Sequence, residues 1–150
     1  QQMRELLTEL RLSLPSKGLT AALDTFVTTF SEGDGIEASF SVEGERQLAP
    51  NIERELFRIA QEAMNNVAKH SQATSAAVKL AFSPESVRLS VEDNGVGFDP
   101  SRPKSSEPGL GLTHMREGAE DLDGRLAIES ALGKGTKIMV EVPLEENNSA

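Results

Sequence analysis

A carboxylate and an amide stand one helical turn apart in the segment ELFRIAQEAMNNVAKHS, as Glu62 and Asn66. At about 100° per residue, both side chains fall at the edge of the helix's apolar stripe. Polar residues are normal at that edge, so the helix alone explains the pair equally well as solvated surface. A carboxylate and an amide also suit a hydrated Mg²⁺ ion. Lys69 and His70 follow at the helix end, where cations are favourable in any case.

A second candidate is the loop within SVEDNGVGFD, residues 90–99. A calcium hand would need oxygen ligands after Asp93 where Gly95 and Gly97 stand, and a calcium-binding repeat would recur, whereas this stretch occurs once. A dinucleotide fingerprint would open a helix, but residues 98–100 lead into a loop. Taken alone, the stretch predicts only a turn.

Two further glycine clusters follow. In PGLGLTHM, Gly109 and Gly111 precede a predicted helix, so backbone amides and the helix N-terminus could face an anion. This is not a Walker loop, because no Gly-Lys-Thr follows. The cluster LGKGT lies between the last two predicted strands, where a glycine hairpin is unremarkable.

The composition narrows the classes of function. The chain has 150 residues, 37% hydrophobic and 26% charged, as expected for one globular domain. It has no cysteine, which excludes disulfides, thiolate metal sites and cysteine nucleophiles, and its two histidines exclude a multi-histidine zinc site. The formal net charge of -9 argues against a nucleic-acid surface, although local cations or a metal would still allow one anionic ligand. No stretch resembles a transmembrane span or a signal peptide.

Apolar periodicity predicts the order helix, strand, helix, strand, strand, helix, strand, strand. The expected helices cover 19–30, 51–70 and 112–122, and the expected strands cover 36–42, 76–82, 87–91, 126–128 and 138–142. Gly124 is expected at the C′ position of the third helix. Residues 98–108, rich in proline and serine, are expected to be exposed and mobile. Since helices and strands do not alternate strictly, we expect an α+β fold with a mixed sheet and helices on one face.

The first fourteen residues carry their own helical pattern, which Pro15 ends. Its apolar members are Met3, Leu6, Leu7, Leu10 and Leu14. The pattern fits a terminal helix packed on its own domain, and it fits equally the severed end of a longer helix from a preceding domain. Because the chain also starts at Gln1 without an initiator methionine, we expect a cytoplasmic fragment of a longer protein.

In this order and spacing, the clusters resemble the ATP-binding catalytic domain of sensor histidine kinases, within the Bergerat (GHKL) ATPase superfamily. EAMNNVAKHS is similar to that family's N box, VEDNGVGFD to its first glycine box, GLGLTHMRE to its second and GKGTKIMVEVPL to its closing segment. LRLSLPSKGLTAAL and KHSQAT resemble the subfamily that pairs with LuxR-type response regulators. Each motif is modest alone, but the ordered set is specific and covers nearly the whole chain.

The resemblance implies a two-layer α/β sandwich in which ATP lies between the helices under a mobile lid. At the adenine end, Asp93 would accept the proton of the adenine amino group. Gly95 and Gly97 would give the base close access to the backbone. Thr136 would support Asp93 and the adenine through its hydroxyl or a water.

The resemblance also implies which residues bind the metal and the phosphates. Asn66 would hold Mg²⁺, and Glu62 would act as a base or orient the attacking nitrogen, reaching the metal, if at all, through a water. The second glycine box would frame the phosphates with Gly109, Leu110, Gly111 and Leu112. The candidate phosphate contacts among the cations are Lys69, His70, Arg102 and Lys104.

The implied reaction is transfer of the ATP γ-phosphoryl group to a histidine nitrogen, which depends on positioning and on Mg²⁺ neutralising charge. The acceptor would lie on the dimerisation domain of the same homodimeric protein, for relay to a LuxR-type response regulator. Neither nucleic acid nor direct membrane contact is expected of this domain. We expect it in the cytoplasm, whether or not the full-length protein is anchored in a membrane.

One feature of the family pattern is missing, because the phosphoacceptor of these kinases stands in a His-Asp or His-Glu context on an earlier helix. Here His70 precedes Ser71 and His114 precedes Met115. Residues 1–14 instead resemble the tail of the second dimerisation helix, followed by the catalytic domain over 15–145 and a disordered tail over 146–150. The chain is therefore predicted to bind ATP without autophosphorylating.

Two other functions fit parts of the sequence. An anti-sigma-type serine kinase would share the N box and the glycine boxes but would lack the leucine-rich stretch upstream. A non-catalytic nucleotide-binding module would use the pocket to dock partners, and the presence of both Glu62 and Asn66 argues against such a degenerate pocket.

Overall fold

The computed structural model describes residues 18–33, 35–97 and 112–144, with only the backbone at His70 and Ser71. The helices are α1 (Gly18–Gly33), α2 (Pro50–Asn66) and α3 (Leu112–Asp121), and a π-helical turn (Val67–Ser71) follows α2. The strands are β1 (Glu37–Glu43), β2 (Ser75–Phe82), β3 (Ser86–Asp93), β4 (Arg125–Ser130) and β5 (Thr136–Pro143). This is the predicted order of elements. The expected helix over 1–14, mobile segment over 98–108 and tail over 146–150 lie outside the described residues.

The five strands form one mixed sheet in the order β1-β2-β3-β5-β4. β1 and β2 are parallel and are connected through α2, whereas the other three pairs are antiparallel. The predicted hairpin is β2–β3, in which Leu80 pairs with Leu89. β3 and β5 lie side by side although α3 and β4 separate them in the sequence, so Asp93 is paired with Thr136.

The core lies between the sheet and the helices. Alternate residues of the central strands are buried, among them Val78, Leu89 and Val140, while Lys79 and Arg88 on the opposite face are exposed. The helices supply the other half of the core, through Leu19, Leu23, Leu56, Ile59, Ala63, Met115 and Ala119. Burial of one such aliphatic side chain stabilises the fold by roughly 1.5–3 kcal/mol. Helices therefore cover one face of the sheet, as predicted.

Aromatic contacts join the first two helices. The ring of Phe26 on α1 lies edge-on to that of Phe57 on α2, with centroids 5.8 Å apart. Phe30, one turn further along α1, lies 6.3 Å from Phe26. In the described ranges, no helix combines the length and the apolar content needed to cross a membrane.

The end of the second helix differs from the expected α-helix over 51–70. The α-helix stops at Asn66, and the backbone widens into the π-helical turn, where the Val67 N–H is shared between the carbonyls of Ala63 and Met64. Gln72 then adopts a left-handed conformation with φ 57° and turns the chain towards β2. Periodicity did not reveal the change, because the apolar stripe ends at Val67, the first residue of the π-helical turn.

The prediction that Gly124 occupies the C′ position was wrong. The left-handed residue after α3 is Asp123, with φ 62°. The N–H of Asp123 bonds to the Glu120 carbonyl and that of Gly124 to the Ala119 carbonyl, which is a Schellman motif with Asp123 at C′. Gly124 serves packing instead, because a Cβ there would come within 2.5 Å of the Glu141 carbonyl oxygen. Asp tolerates the left-handed region better than most residues.

Candidate functional site

Asp93 is the last residue of β3 and is half-buried between two neighbouring strands. It pairs with Ala76 on one side and with Thr136 on the other. Its Oδ1 accepts the Gly95 N–H at 2.7 Å, and the Thr136 backbone amide also hydrogen bonds to the carboxyl. Two backbone donors thus fix the carboxyl orientation and leave further lone pairs for the N–H of a ligand.

Burial raises the pKa of the Asp93 carboxyl above its ordinary value, because the charged form loses hydration. The amides of Gly95 and Thr136 act in the opposite direction, and the negative charge of Glu92 adds to the rise. Burial is the largest of these effects. A carboxyl kept in an environment that disfavours its own charge is typical of a functional position.

The loop that follows β3 (residues 94–97, the glycine loop) meets the turn between β4 and β5 at Gly97, where the structure requires a glycine. Gly97 has φ 67°, and a Cβ there would overlap the carbonyl oxygen of Ala131. The Gly133 N–H donates to the Val96 carbonyl at 2.6 Å, which ties the same two loops together. The glycine therefore allows two backbones to touch beside Asp93.

Gly135 brings the other side of that turn against Asp93. With φ 79°, it lies so close that a Cβ would overlap the Asp93 carbonyl oxygen. The next residue, Thr136, places its hydroxyl 2.8 Å from Ser130 Oγ, and Ser130 Oγ donates to the Gly135 carbonyl at 3.1 Å. In this arrangement the backbone amide of Thr136 supports Asp93, and the predicted support through its hydroxyl or a water stays a prediction. Its predicted contact with adenine remains a prediction.

Glu62 and Asn66 lie one turn apart on α2, both half-buried, and Asn66 is its last residue. Lys69 is exposed in the π-helical turn, and the His70 side chain lies outside the described residues. Within the described ranges, no group of three or more His, Cys, Asp or Glu is placed to hold a metal ion. Glu62 and Asn66 together offer a partial set of oxygen ligands.

The surroundings of Asp93 and the pair Glu62 and Asn66 lie at the same end of the sheet. The chain passes from the π-helical turn through Gln72 to Ser75, whose carbonyl accepts the Asn94 N–H at 3.2 Å. α3 also points towards this end with its N-terminus, because its C-terminal turn leads directly into β4 at the opposite end. Leu112, half-buried, is the first residue of α3.

The remaining predicted site residues are Arg102, Lys104, Gly109, Leu110 and Gly111. They lie outside the described residues, so their roles stay predictions from the resemblance.

The comparison with protein families decides the assignment. Residues 51–146 match the family described as histidine kinase-, DNA gyrase B- and HSP90-like ATPase. The chain belongs to this family. The predicted resemblance to histidine kinase ATP-binding domains is confirmed, and the chain is an ATP-binding catalytic domain of this type.

Curated relatives are similar along most of the chain. The signal transduction histidine-protein kinase/phosphatase DegS of Bacillus subtilis is 38% identical over 138 residues, which are 89% of this chain and 36% of that protein. The sensor histidine kinase LiaS of the same organism is 37% identical over 144 residues, which are 95% of this chain and 39% of that protein. The ATPase domain thus spans less than two fifths of either relative.

A solved structure shows the same fold. The histidine kinase domain of the blue-light activated histidine kinase from Erythrobacter litoralis EL346 superposes with a TM-score of 0.69 at 22% identity, covering 87% of this chain and 63% of that chain. The predicted α+β fold is confirmed.

Sequence reasoning missed Asn94 and Ser130. Asn94 stood inside the quoted loop, and the signal was its type, since asparagine side chains readily bond to nearby backbone groups. Ser130 carried no usable signal, because its role depends on the pairing of β4 with β5.

Proposed function

We propose that this domain binds ATP at the Asp93 end of the sheet and transfers its γ-phosphoryl group to a histidine nitrogen on a dimerisation domain. The observation that carries the proposal is the Asp93 carboxyl, half-buried and oriented by two backbone amides beside Gly95 and Gly97. An ionised carboxyl held in this way is an acceptor of defined direction. Purine amino groups are matching donors.

At the adenine end, recognition would rest on Asp93 and on the glycines beside it. Gly95 is buried and donates to Asp93, while Gly97 and Gly135 keep the neighbouring backbones in contact. Because Gly95 has no side chain, a flat base could approach the backbone closely at that residue. Thr136 contributes by holding the carboxyl through its amide.

At the phosphate end, Asn66 and Glu62 would hold Mg²⁺. Their oxygen atoms fit this ion, which prefers one or two protein ligands and completes its shell with water and substrate phosphates. When bound, the ion neutralises charge on the phosphates. Lys69, the second glycine box and the cations Arg102 and Lys104 would supply further contacts to the triphosphate.

In the transfer step, the lone pair of the acceptor histidine nitrogen forms a bond to the γ-phosphorus. The bond from that phosphorus to the β,γ-bridging oxygen breaks, and ADP leaves with the electron pair. Glu62 would orient the attacking nitrogen or accept the proton that the imidazole loses. The protein contributes mainly by positioning and electrostatics.

The full protein's partners follow from the same proposal. Residues 1–14 would be the end of a dimerisation helix, residues 15–145 the catalytic domain and residues 146–150 a tail. A homodimer would present the acceptor histidine, and a LuxR-type response regulator would receive the phosphoryl group. Because the donor is ATP, the domain would work in the cytoplasm.

Transfer is tested by mixing the chain, ATP labelled at the γ-phosphate and a separate dimerisation domain carrying the acceptor histidine. We expect acid-labile label on the acceptor histidine, lost when Glu62→Gln or Asn66→Ala replaces the wild type. Exposed Asn51→Ala, at the other end of α2, is the matched control and should retain transfer. Label on a serine would instead indicate the serine-kinase alternative, and no label with ATP bound would indicate a binding module.

A further inference from the structure

Asn94 follows Asp93, whose carboxylate is proposed to bind adenine, and its hydrogen bonds reach Thr74 and Ser75 in another part of the chain. Its Oδ1 accepts the N–H groups of Thr74 and Ser75, each at 3.0 Å. Its Nδ2 donates to Thr74 Oγ1 at 2.9 Å, and its own N–H donates to the Ser75 carbonyl at 3.2 Å. One short side chain thus joins the glycine loop to the start of β2.

Asn94 holds the segment that follows the proposed phosphate-binding residues in the chain. Asn66 ends α2, the π-helical turn carries Lys69, and Gln72 follows in the left-handed conformation. A left-handed non-glycine residue persists only where its surroundings enforce it. The bonds from Asn94 to Thr74 and Ser75 provide that restraint within two or three residues of Gln72.

The Asp93 carboxyl, by contrast, is oriented by groups other than the Asn94 side chain. Its orientation comes from the amides of Gly95 and Thr136, which belong to the glycine loop and to β5. The two ends of the proposed pocket are therefore restrained by separate bonds, and the Asn94 side chain connects them.

We propose that Asn94 is a positioning residue that fixes the phosphate-end groups of α2 and the π-helical turn relative to Asp93. The proposal rests on the proposed function, since it assigns adenine to Asp93 and the phosphates to the other end. Asn94 does not touch the nucleotide in this account. Its effect reaches the ligand through Thr74, Ser75 and the turn before them.

The proposal predicts a loss that depends on the ligand. Asn94→Ala removes three side-chain hydrogen bonds, and we expect ATP with Mg²⁺ to bind about tenfold more weakly, a loss that one or two such bonds can account for. Adenosine, which reaches only the adenine end, should keep its affinity within about twofold. Asn94→Asp retains both acceptor positions for the Thr74 and Ser75 amides and should bind both ligands nearly as the wild type does.

The measurement is competition binding of ATP with Mg²⁺ and of adenosine, on variants checked by thermal unfolding. Thr74→Val, which loses only the Nδ2 contact, serves if Asn94→Ala does not fold, and should show a smaller loss confined to ATP. An equal loss of both ligands, no loss of either, or no rescue by Asn94→Asp would overturn the proposal. Asp93→Asn separates the two hypotheses: if it alters neither ligand, the proposed adenine site is wrong.

Discussion

Two opposing effects act on the single residue Asp93. Recognition of adenine needs its negative charge, whereas burial disfavours that charge. Because its pKa in the folded state is raised, the folded domain binds the proton more tightly than the unfolded chain. The associated stability is fully present below the ordinary pKa of aspartate. It is lost as pH rises through the raised pKa.

Asp93→Asn should therefore stabilise the nucleotide-free domain at pH 7, because it removes the buried charge and keeps an acceptor for one amide. The advantage should shrink as pH falls into the range in which the wild-type carboxyl becomes protonated. Thermal unfolding of both proteins across this range tests it. Glu43→Gln, an exposed carboxyl at the opposite end of the sheet, is the control and should change little. A variant less stable than wild type at pH 7 would contradict this prediction.

Several candidate site residues could be proposed from the sequence alone, because their types are unusual for their positions. Asp93 ends an alternating strand, and Gly95 and Gly97 follow it at once. The hydrogen bond from the Thr136 amide to Asp93 could not be predicted from the sequence, since the two residues meet only through the β3–β5 pairing. Asn94 offered only its residue type as a signal, and its hydrogen-bond partners lie nineteen and twenty residues earlier.

At the scale of elements, the turn between β4 and β5 presses against the end of β3 through Gly135. Gly135→Ala should lower both stability and ATP affinity, because the new Cβ overlaps the Asp93 carbonyl and the backbone must move. We expect a loss of stability of about 2 kcal/mol or more, above the strain of a left-handed alanine alone.

Gly133→Ala is the matched control for that effect. Gly133 has nearly the same φ, 77°, but a Cβ there meets nothing within 4 Å. It should cost about 1 kcal/mol of stability through strain and leave ATP affinity unchanged. Chemical denaturation and nucleotide titration of both variants provide the comparison. Equal losses of affinity would show that contact with Asp93 is not the cause.

Glu53 joins α1 to α2 and is almost completely buried, with 2% of its surface exposed. Burial raises the pKa of its carboxyl, and the hydrogen bond from the Leu19 backbone N–H partly opposes the rise. That N–H lies in the first turn of α1, where the helix itself offers no acceptor.

Glu53→Ala should destabilise the domain by about 1–3 kcal/mol, because the Leu19 N–H is left buried without its acceptor. Glu53→Gln keeps an acceptor and removes the buried charge, so it should be at least as stable as wild type at pH 7. Denaturant unfolding measures both. The explanation fails if the glutamine variant is destabilised as much as the alanine variant.

At the scale of the whole molecule, the element order was predictable because each described element has a clear apolar period. That the helices cover one face of the sheet also followed, since strands such as β2 and β5 alternate buried residues with less buried ones. The strand order did not follow, because β3 and β5 pair across α3 and β4. Local details such as the π-helical turn and Asp123 at C′ did not follow either, because the apolar period does not encode them.

The isolated chain should not phosphorylate itself. Neither His70 nor His114 stands in the sequence context of a phosphoacceptor, and His114 lies on α3 within the catalytic domain. Incubation with ATP labelled at the γ-phosphate, followed by denaturing electrophoresis, should leave the chain unlabelled. Stable label on either histidine would refute this prediction.

Binding of ATP through Asp93 is measured by calorimetric titration of ATP, with and without Mg²⁺. The wild type should bind ATP, more tightly with Mg²⁺. Asp93→Asn should bind at least tenfold more weakly while remaining folded, because a hydrogen bond to a charged group contributes about 1.5–3 kcal/mol. Absence of binding by the wild type, or equal affinity in the variant, would show that the domain does not bind ATP through Asp93.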